Sequence, residues 1–399
     1  MTAMTVRLKE LFEQAKDHEV TLLAGQNGLE RPVRWVHMVE NEEIAGFLEG
    51  QEIAFTTGIG LESQEDLISV VRKCDENGAS GLVVNVGPFI RQISPEVIRY
   101  CNAHDFPLFR VPWSVHMAQI MHQFSLTITM SEKHSMELAA ALENAIFWPD
   151  REELYMDYMD QNGFGQQWNY CVGVMEVCAC DDRQGTPARV NDTRLAAFVR
   201  AAESLITRHQ WRAALLQLEH RMVMVFARYD IDKVEAMVRS VLAACRRITN
   251  DDELLYLGIG KVTRTARCIG KSYAQGLKLE RLQKHRGRDG EPFLYEDSGV
   301  DKLLLSIPDT EILEDYYEST IGPLVEHDRV NNTDLTETLR TYLRFSGSVK
   351  ETAETMIVHR NTVTYKINKI EHILGMNLSD FAAREQLSLG LRVREILDC

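Results

Sequence analysis

No uninterrupted apolar run in these 399 residues approaches the roughly 18–20 positions that a membrane span needs. The start, Met1 to Glu10, carries acid and base where a secretion signal would have its apolar stretch. A cytoplasmic protein with no membrane partner is the expectation. Cysteines are few for a disulfide framework: eight, with no C-x-x-C pair. Cys178-Ala179-Cys180 places two thiols on one strand face and reads as two small buried strand residues. The twelve histidines form no H-E-x-x-H or other metal spacing, so neither a metal nor a cofactor is expected. Basic residues are also in deficit. With 44 Lys and Arg against 59 Asp and Glu the net charge is −15, which excludes a diffuse basic coat and confines any nucleic-acid site to a local patch.

Catalytic grammar is equally thin. There is no G-x-S-x-G elbow. Gly270-Lys271-Ser272 imitates the end of a phosphate loop, but the required earlier glycine is Thr265, so these residues read as a helix start. The acid pairs Asp181-Asp182 and Asp251-Asp252 fall in turns. The expectation is not an enzyme.

What is present falls into stretches with different periodicity. From Thr5 to about Val111, β-rich runs (Val20–Ala24, Val33–Val39, Glu52–Thr56, Gly81–Val86, Pro107–Val111) alternate with amphipathic segments at Val6–Ala15, Gln64–Glu76 and Pro95–His104. That alternation predicts an α/β sheet with helices packed on it. Pro112 to about Trp148 is helical. Met117, Met121, Phe124 and Ile128 make one apolar stripe, and Leu138, Ala141, Leu142, Ala145 and Ile146 another. Such stripes either pack on their own domain or form a dimerising connector. The stretch from about Gln167 to Glu296 reads β-α-β-β-α-β-α, with a hairpin around Glu219-His220-Arg221, and suggests a ferredoxin-like or nucleotide-cyclase-like sheet. The basic loop His285-Arg286-Gly287-Arg288 reads as a solvated turn closing it. After Pro308 the chain is read as all-helical, with segments near Thr310–Val325, Leu335–Phe345, Val349–Met356, Asn361–Leu374 and Phe381–Leu397.

The sharpest signal lies between Ser348 and Leu374. Ser348-Val349-Lys350-Glu351 is a capping-box pattern that starts a short helix. After the connection Ile357-Val358-His359, a second helix buries Val363, Ile367, Ile370 and Leu374 at steps of four, three and four. Its other face presents Arg360, Asn361, Thr364 and Tyr365, flanked by Lys366 and Lys369. From Thr355 to Ile370 the sequence has no Asp or Glu. A rigid helix pair with donors at the start of the second helix is what a helix-turn-helix requires. The alternative is an ordinary helical hairpin with a polar face, favoured by Ile357 standing where many such turns have glycine. On the DNA reading, Arg360 and Asn361 reach base edges. Thr362, Thr364, Tyr365, Lys366 and Lys369, with Lys350 and His359 beside them, complete the contact set.

These residues also resemble a known family. His359-Arg360-Asn361-Thr362-Val363-x-Tyr365-Lys366-Ile367-x-Lys369-Ile370-Glu371, followed by Leu374-Gly375-x-Asn377-Leu378, looks like the C-terminal helix-turn-helix of PucR-type (purine catabolism regulator-like) bacterial transcription factors. Leu23-Ala24-Gly25-x-x-Gly28-Leu29-x-Arg31-Pro32-Val33-Arg34-Trp35-Val36-His37, Phe55 to Leu61, Gly78-Ala79-x-Gly81-Leu82 and Phe106-Pro107-Leu108 resemble the family's amino-terminal domain. The middle resembles a degenerate GGDEF-like domain, whose signature turn here reads Leu218-Glu219-His220-Arg221-Met222. Without the metal-binding acid of that turn, cyclase chemistry is not expected.

The resemblance implies an α+β multidomain chain. Its parts are an N-terminal α/β sensor over 1–114, a helical connector with a dimer contact over 115–165, a GGDEF-like α/β domain over 166–300 and an all-α helix-turn-helix domain over 301–399. It implies a cytoplasmic regulator, an activator in many members, of genes for using a nitrogen or carbon compound, purines being the namesake. Expected partners are duplex DNA, a small-molecule effector, a second copy or higher homo-oligomer, and RNA polymerase. A nucleotide-binding signalling protein using the middle domain is the alternative. For the effector, the Thr56-Thr57-Gly58 loop is expected to leave a strand with free amides and two hydroxyls, suited to a polar or anionic ligand. Arg34 and His37 would add donors if their strand is adjacent.

Overall fold

The β-rich runs of the first hundred residues pair into one sheet. Strands β1 (Thr21–Ala24), β2 (Trp35–Met38), β3 (Glu52–Thr56), β4 (Gly81–Val86) and β5 (Leu108–Pro112) lie in the order β1-β5-β4-β3-β2. Only β1 is antiparallel to its neighbour. The sheet belongs to a computed structural model that describes residues 6–180 and 187–398, so Asp181 and Asp182 lie outside the described residues. The chain divides into two units, one of Met1–Leu255 and Val262–Tyr273, the other of Tyr256–Lys261 and Ala274–Cys399.

In the first unit both faces of the parallel sheet are covered, which is why β3 is buried at every position. Helices α1 (Gln64–Glu76) and α2 (Pro95–Ala103) close one face, with Leu67, Val71 and Val97 against Ala54, Leu82 and Val84. On the other face Ile53, Phe55, Val83 and Phe109 meet Ile120, Phe124 and Ile128 of the 31-residue helix α3 (Met117–Phe147). Ile120, not the expected Met121, is the fully buried member of that stripe. The motif glycines at the start are there for packing. A Cβ on Gly25 (φ +73°) would stand 2.1 Å from the Phe106 carbonyl oxygen, and one on Gly28 equally close to that of Asp105. Arg31 ties the same region together, donating to the Ala79 carbonyl at 3.0 Å and lying over the Phe106 ring.

Further along the same unit come β6 (Tyr170–Cys180), α4 (Asp192–His209), β7 (Ala213–Leu218), β8 (Arg221–Ala227), α5 (Ile231–Arg246) and the start of β9 (Glu253–Ile259). Strand β8 pairs antiparallel with both β7 and β6. At the far edge of β6, where β9 begins, the Cys180 amide donates to the Asp252 carbonyl at 2.7 Å. Along the chain α4 separates β6 from the β7–β8 hairpin and α5 separates β8 from β9, a mixed α/β arrangement. The hairpin turn is two residues, Glu219-His220, and not three. Arg221 belongs to β8 and is buried beside Glu176 at 3.6 Å. Gly270 and Ser272 are packing residues in the first turn of helix α6 (Ile269–His285). A Cβ on Gly270 would strike the Ile146 carbonyl, and the buried Ser272 hydroxyl accepts the Val172 amide at 2.9 Å.

The second unit ends in six helices: α7 (Thr310–Thr320), α8 (Gly322–Asn331), α9 (Leu335–Arg344), α10 (Val349–Met356), α11 (Arg360–Leu374) and α12 (Phe381–Leu397). The single helix expected over Thr310–Val325 breaks at Ile321. Pro323 in the first turn of α8 has no N–H to continue the ladder, and its ring would clash with the preceding turn. Leu324, Leu335, Leu339, Val363, Ile370 and Leu387 form the shared core.

The basic loop at His285 is not merely a solvated turn. Arg286 donates to Asp301 at 2.7 Å and to Glu395 at 3.0 Å, and Glu395 also accepts from Arg340. Burial pushes the Glu395 carboxyl up, but the hydrogen bonds from Arg340 and Arg286 outweigh it and hold the group below the usual glutamate range. A carboxylate depressed in the folded state stabilises fully above its unfolded value, and that contribution is lost as pH falls through the folded one. Glu395→Gln is therefore expected to destabilise most at neutral pH, with the gap to wild type closing below pH 4.5. Denaturant titrations across that range measure the gap; one that widened on acidification would contradict the pairing.

Candidate nucleic-acid interface

Helix α10 begins where Ser348 accepts the Glu351 amide at 3.3 Å, the first half of the expected capping box. It buries Thr352 and Ala353 and ends at Ile357. Ile357 supplies the left-handed residue that turns the chain (φ +54°, ψ +47°), the place glycine usually takes. Its side chain is 92% exposed. A β-branched residue held there costs roughly 1–2 kcal/mol in backbone strain with no burial to offset it. Ile357→Gly is expected to stabilise the protein by about 1 kcal/mol after glycine's own entropy penalty. A chemical-denaturation midpoint that stayed level or fell would show that the isoleucine is held by contacts.

Two residues later His359 caps α11, its Nδ1 accepting the Asn361 amide at 3.2 Å. In the neutral ring this leaves the proton on Nε2. Val363, Ile367 and Ile370 are buried at the predicted steps, and the Gly375 cap (φ +64°) ends the helix. With that ridge pinned, Arg360, Asn361, Thr362, Thr364 and Tyr365 are exposed, Tyr365 at 68%. Thr364 also bonds back to the Arg360 carbonyl. Arg360 and Lys369 have no carboxylate within ion-pair distance among the described residues. Exposed Lys350 stands 4.0 Å from Glu354.

Lys366 is a correction. Its side chain is only 17% exposed, and its ammonium sits 2.5 and 2.7 Å from the two carboxylate oxygens of Asp334, just before α9. The acid-free run along the sequence did not exclude an acid arriving from another helix, 32 residues away.

The expected effector loop needs a larger correction. Strand β2 is indeed beside β3, with His37 opposite Ala54. Alternation puts His37 on the face that carries Thr56. However, Thr56, Thr57 and Gly58 are not free donors. The Glu40 carboxylate, just beyond the end of β2, accepts from the Thr57 hydroxyl at 2.7 Å, the Thr57 amide at 3.2 Å, the Gly58 amide at 3.1 Å and the Thr56 hydroxyl at 3.2 Å. An acid at the carboxyl end of a parallel strand, beside a loop at the same end, is the sequence signal for this closure. Arg34 lies at the opposite end of the strand pair. Its amide bonds the Gln51 carbonyl, and its guanidinium is 3.9 Å from buried Glu203. It contributes nothing to the Thr57 loop.

Residues 10–128 match the model of the purine catabolism regulatory protein-like family, and residues 335–393 match the PucR C-terminal helix-turn-helix domain. Among curated relatives, the proline-responsive transcriptional activator PutR of Bacillus subtilis is 31% identical over 138 residues, 34% of each chain. The purine catabolism regulatory protein of the same species is 36% identical over 104 residues, 26% of this chain and 19% of that one. The carbohydrate diacid regulator of Escherichia coli is 22% identical over 173 residues, 43% of each. The matches thus span about a third and a fifth of the first two relatives' own lengths.

Proposed function

We propose that this chain, which belongs to the PucR-type family through its amino-terminal domain and its helix-turn-helix, is a DNA-binding transcriptional regulator answering to a small metabolite of nitrogen or carbon catabolism. The observation that carries the reading is the first turn of α11. Arg360 and Asn361 are exposed there, above a buried ridge that fixes their direction, and no acid reaches them among the described residues. Two such helices in a homodimer would enter successive major grooves about 34 Å apart. The relatives' names support a small-molecule effector, with proline, purines and carbohydrate diacids as the classes named. They also support transcriptional activation, with RNA polymerase as the natural further partner. The central sheet fits a cyclase-like fold whose signature turn has become Glu219-His220.

Mobility shifts with DNA from around the chain's own gene test the reading. Absence of any shift at low salt by folded protein would remove it. The two lysines of α11 should then separate. Lys369→Ala is expected to flatten the salt dependence of binding by about one phosphate contact, a slope change of ~0.9. Lys366→Ala, whose charge Asp334 already neutralises, should change that slope far less. Equal slope changes would mean that the Asp334 pair opens on DNA.

A further inference from the structure

A groove of ≈ 780 Å³ lies within the second unit, between the chain just past α6, the C-terminal half of α9 and α12. Its size is that of a small-molecule site. Arg286, Arg288, Arg340, Arg344 and Arg392 line it, and Glu395 is the one acid beside them. In a chain of net charge −15 this is a concentrated reversal of sign. Three of the five arginines are already paired. Arg286 and Arg392 donate to the buried Asp301 carboxylate at 2.7 and 3.1 Å, and Arg286 and Arg340 donate to Glu395. Arg340 also stands 3.5 Å from Glu337. Three carboxylates thus answer three guanidinia and fix the walls of the groove.

Arg288 and Arg344 supply the surplus. Both are exposed, and neither has a carboxylate within ion-pair distance among the described residues. Arg344 lies over the Phe345 ring at 5.9 Å, a contact that leaves its charge uncancelled. A cation in the last turn of a helix answers the dipole there, which accounts for Arg344. It does not account for Arg288, which lies beyond the end of α6. The groove also faces away from the helix-turn-helix surface. Arg340 and Arg344, four positions apart, share one face of α9, while Leu335, Leu339 and Tyr342 meet the core on the other. Val363, Ile367 and Ile370 seat α11 on that same core, with Arg360, Asn361 and Thr364 turned outward.

We propose that this groove is a ligand site separate from the DNA face, and that it takes a compact soluble anion with two phosphoryl groups, one on Arg288 and one on Arg344. Guanidinium binds phosphate oxygens through paired N–H donors in a fixed fork. A phosphate ester brings roughly −1.5 to −2 charges per group at neutral pH, more than a carboxylate brings. A nucleobase has little to stack on, because no Phe, Tyr or Trp is among the described residues lining the groove. A sugar bisphosphate meets both conditions. The site goes beyond the regulator reading, and its geometry does not depend on it.

Calorimetry on the full chain at one fixed salt concentration tests it, with fructose 1,6-bisphosphate and pyrophosphate as probes and tartrate and AMP as the dicarboxylate and nucleotide comparisons. At least one of the two probes should saturate, and more tightly than tartrate or AMP. Arg288→Gln and Arg344→Gln, exposed changes with little risk to folding, should each weaken that binding roughly tenfold or more. Arg329→Gln, which removes an exposed cation of α8 outside the groove, should leave it unchanged. Duplex binding on the same preparations separates the two sources of phosphate, and the Arg288 and Arg344 variants should keep wild-type DNA affinity. The proposal is overturned if neither probe saturates, if tartrate or AMP binds as tightly, or if Arg329→Gln costs as much as the groove changes. It is also overturned if the groove variants lose duplex affinity, which would make the groove part of the DNA contact. Probe binding by a wild type with no DNA affinity would retain the groove and remove the regulator.

Discussion

Replacing Arg360 by Ala is expected to weaken operator binding by about 1–3 kcal/mol, up to roughly a hundredfold, and to relax the preference for one base pair in each half-site. The same is expected of Asn361→Ala at a neighbouring position. The size of the effect follows from what these side chains do in the free protein, which is nothing structural. Arg360 is exposed and makes no ion pair among the described residues, and the Asn361 contribution to the fold is its backbone amide, given to His359. Either truncation should therefore leave the folding midpoint unmoved while binding falls. Titration of each variant against operators changed one base pair at a time would show the loss confined to particular positions. A uniform loss across all sequences would reassign both residues to the phosphate backbone.

The second large effect is expected at Glu40. Hydrogen bonds to an ionised carboxylate are worth about 1.5–3 kcal/mol each, and the Glu40 carboxylate gathers several from Thr56, Thr57 and Gly58. Part of this is recovered by water in the half-exposed loop, so Glu40→Ala is expected to cost about 2 kcal/mol. The variant should then accept an external carboxylate in place of the missing side chain. Formate or acetate at tens of millimolar is expected to raise its thermal midpoint and to leave wild type unchanged. A variant with wild-type stability, or one that the small acids do not rescue, would show that the loop holds its shape without a bound anion.

These two sites show how far the sequence could be read. Strand β3, the two helices α1 and α10 and the buried ridge of α11 follow directly from residue periodicity, because each is a local pattern facing one core. The exposure of Arg360 and Asn361 follows from the same ridge. The partners of the charged groups do not. Glu40 meets Thr57 across 17 residues and Asp334 meets Lys366 across 32, and neither pairing leaves a trace in spacing. Arg34 failed for a geometric reason. Parallel strands put residues of one end together, and from Glu52, opposite Trp35, to Thr56 is a rise of roughly 13 Å. The break at Ile321 is legible in Gly322-Pro323, although the apolar spacing continues through it.

Helix α3 has a bearing on cooperativity. Its first half is built into the core under the parallel sheet, and its second half is fixed elsewhere in the same unit, where Gly270 fits against Ile146 and Phe147 meets the Tyr273 ring at 5.9 Å. No proline or glycine interrupts the rod between them. A hinge inside it would break consecutive backbone hydrogen bonds in the middle of a helix. Melting of either anchorage is therefore expected to be felt at the other, so that the parallel sheet and its neighbour lose their structure in one concerted step instead of two.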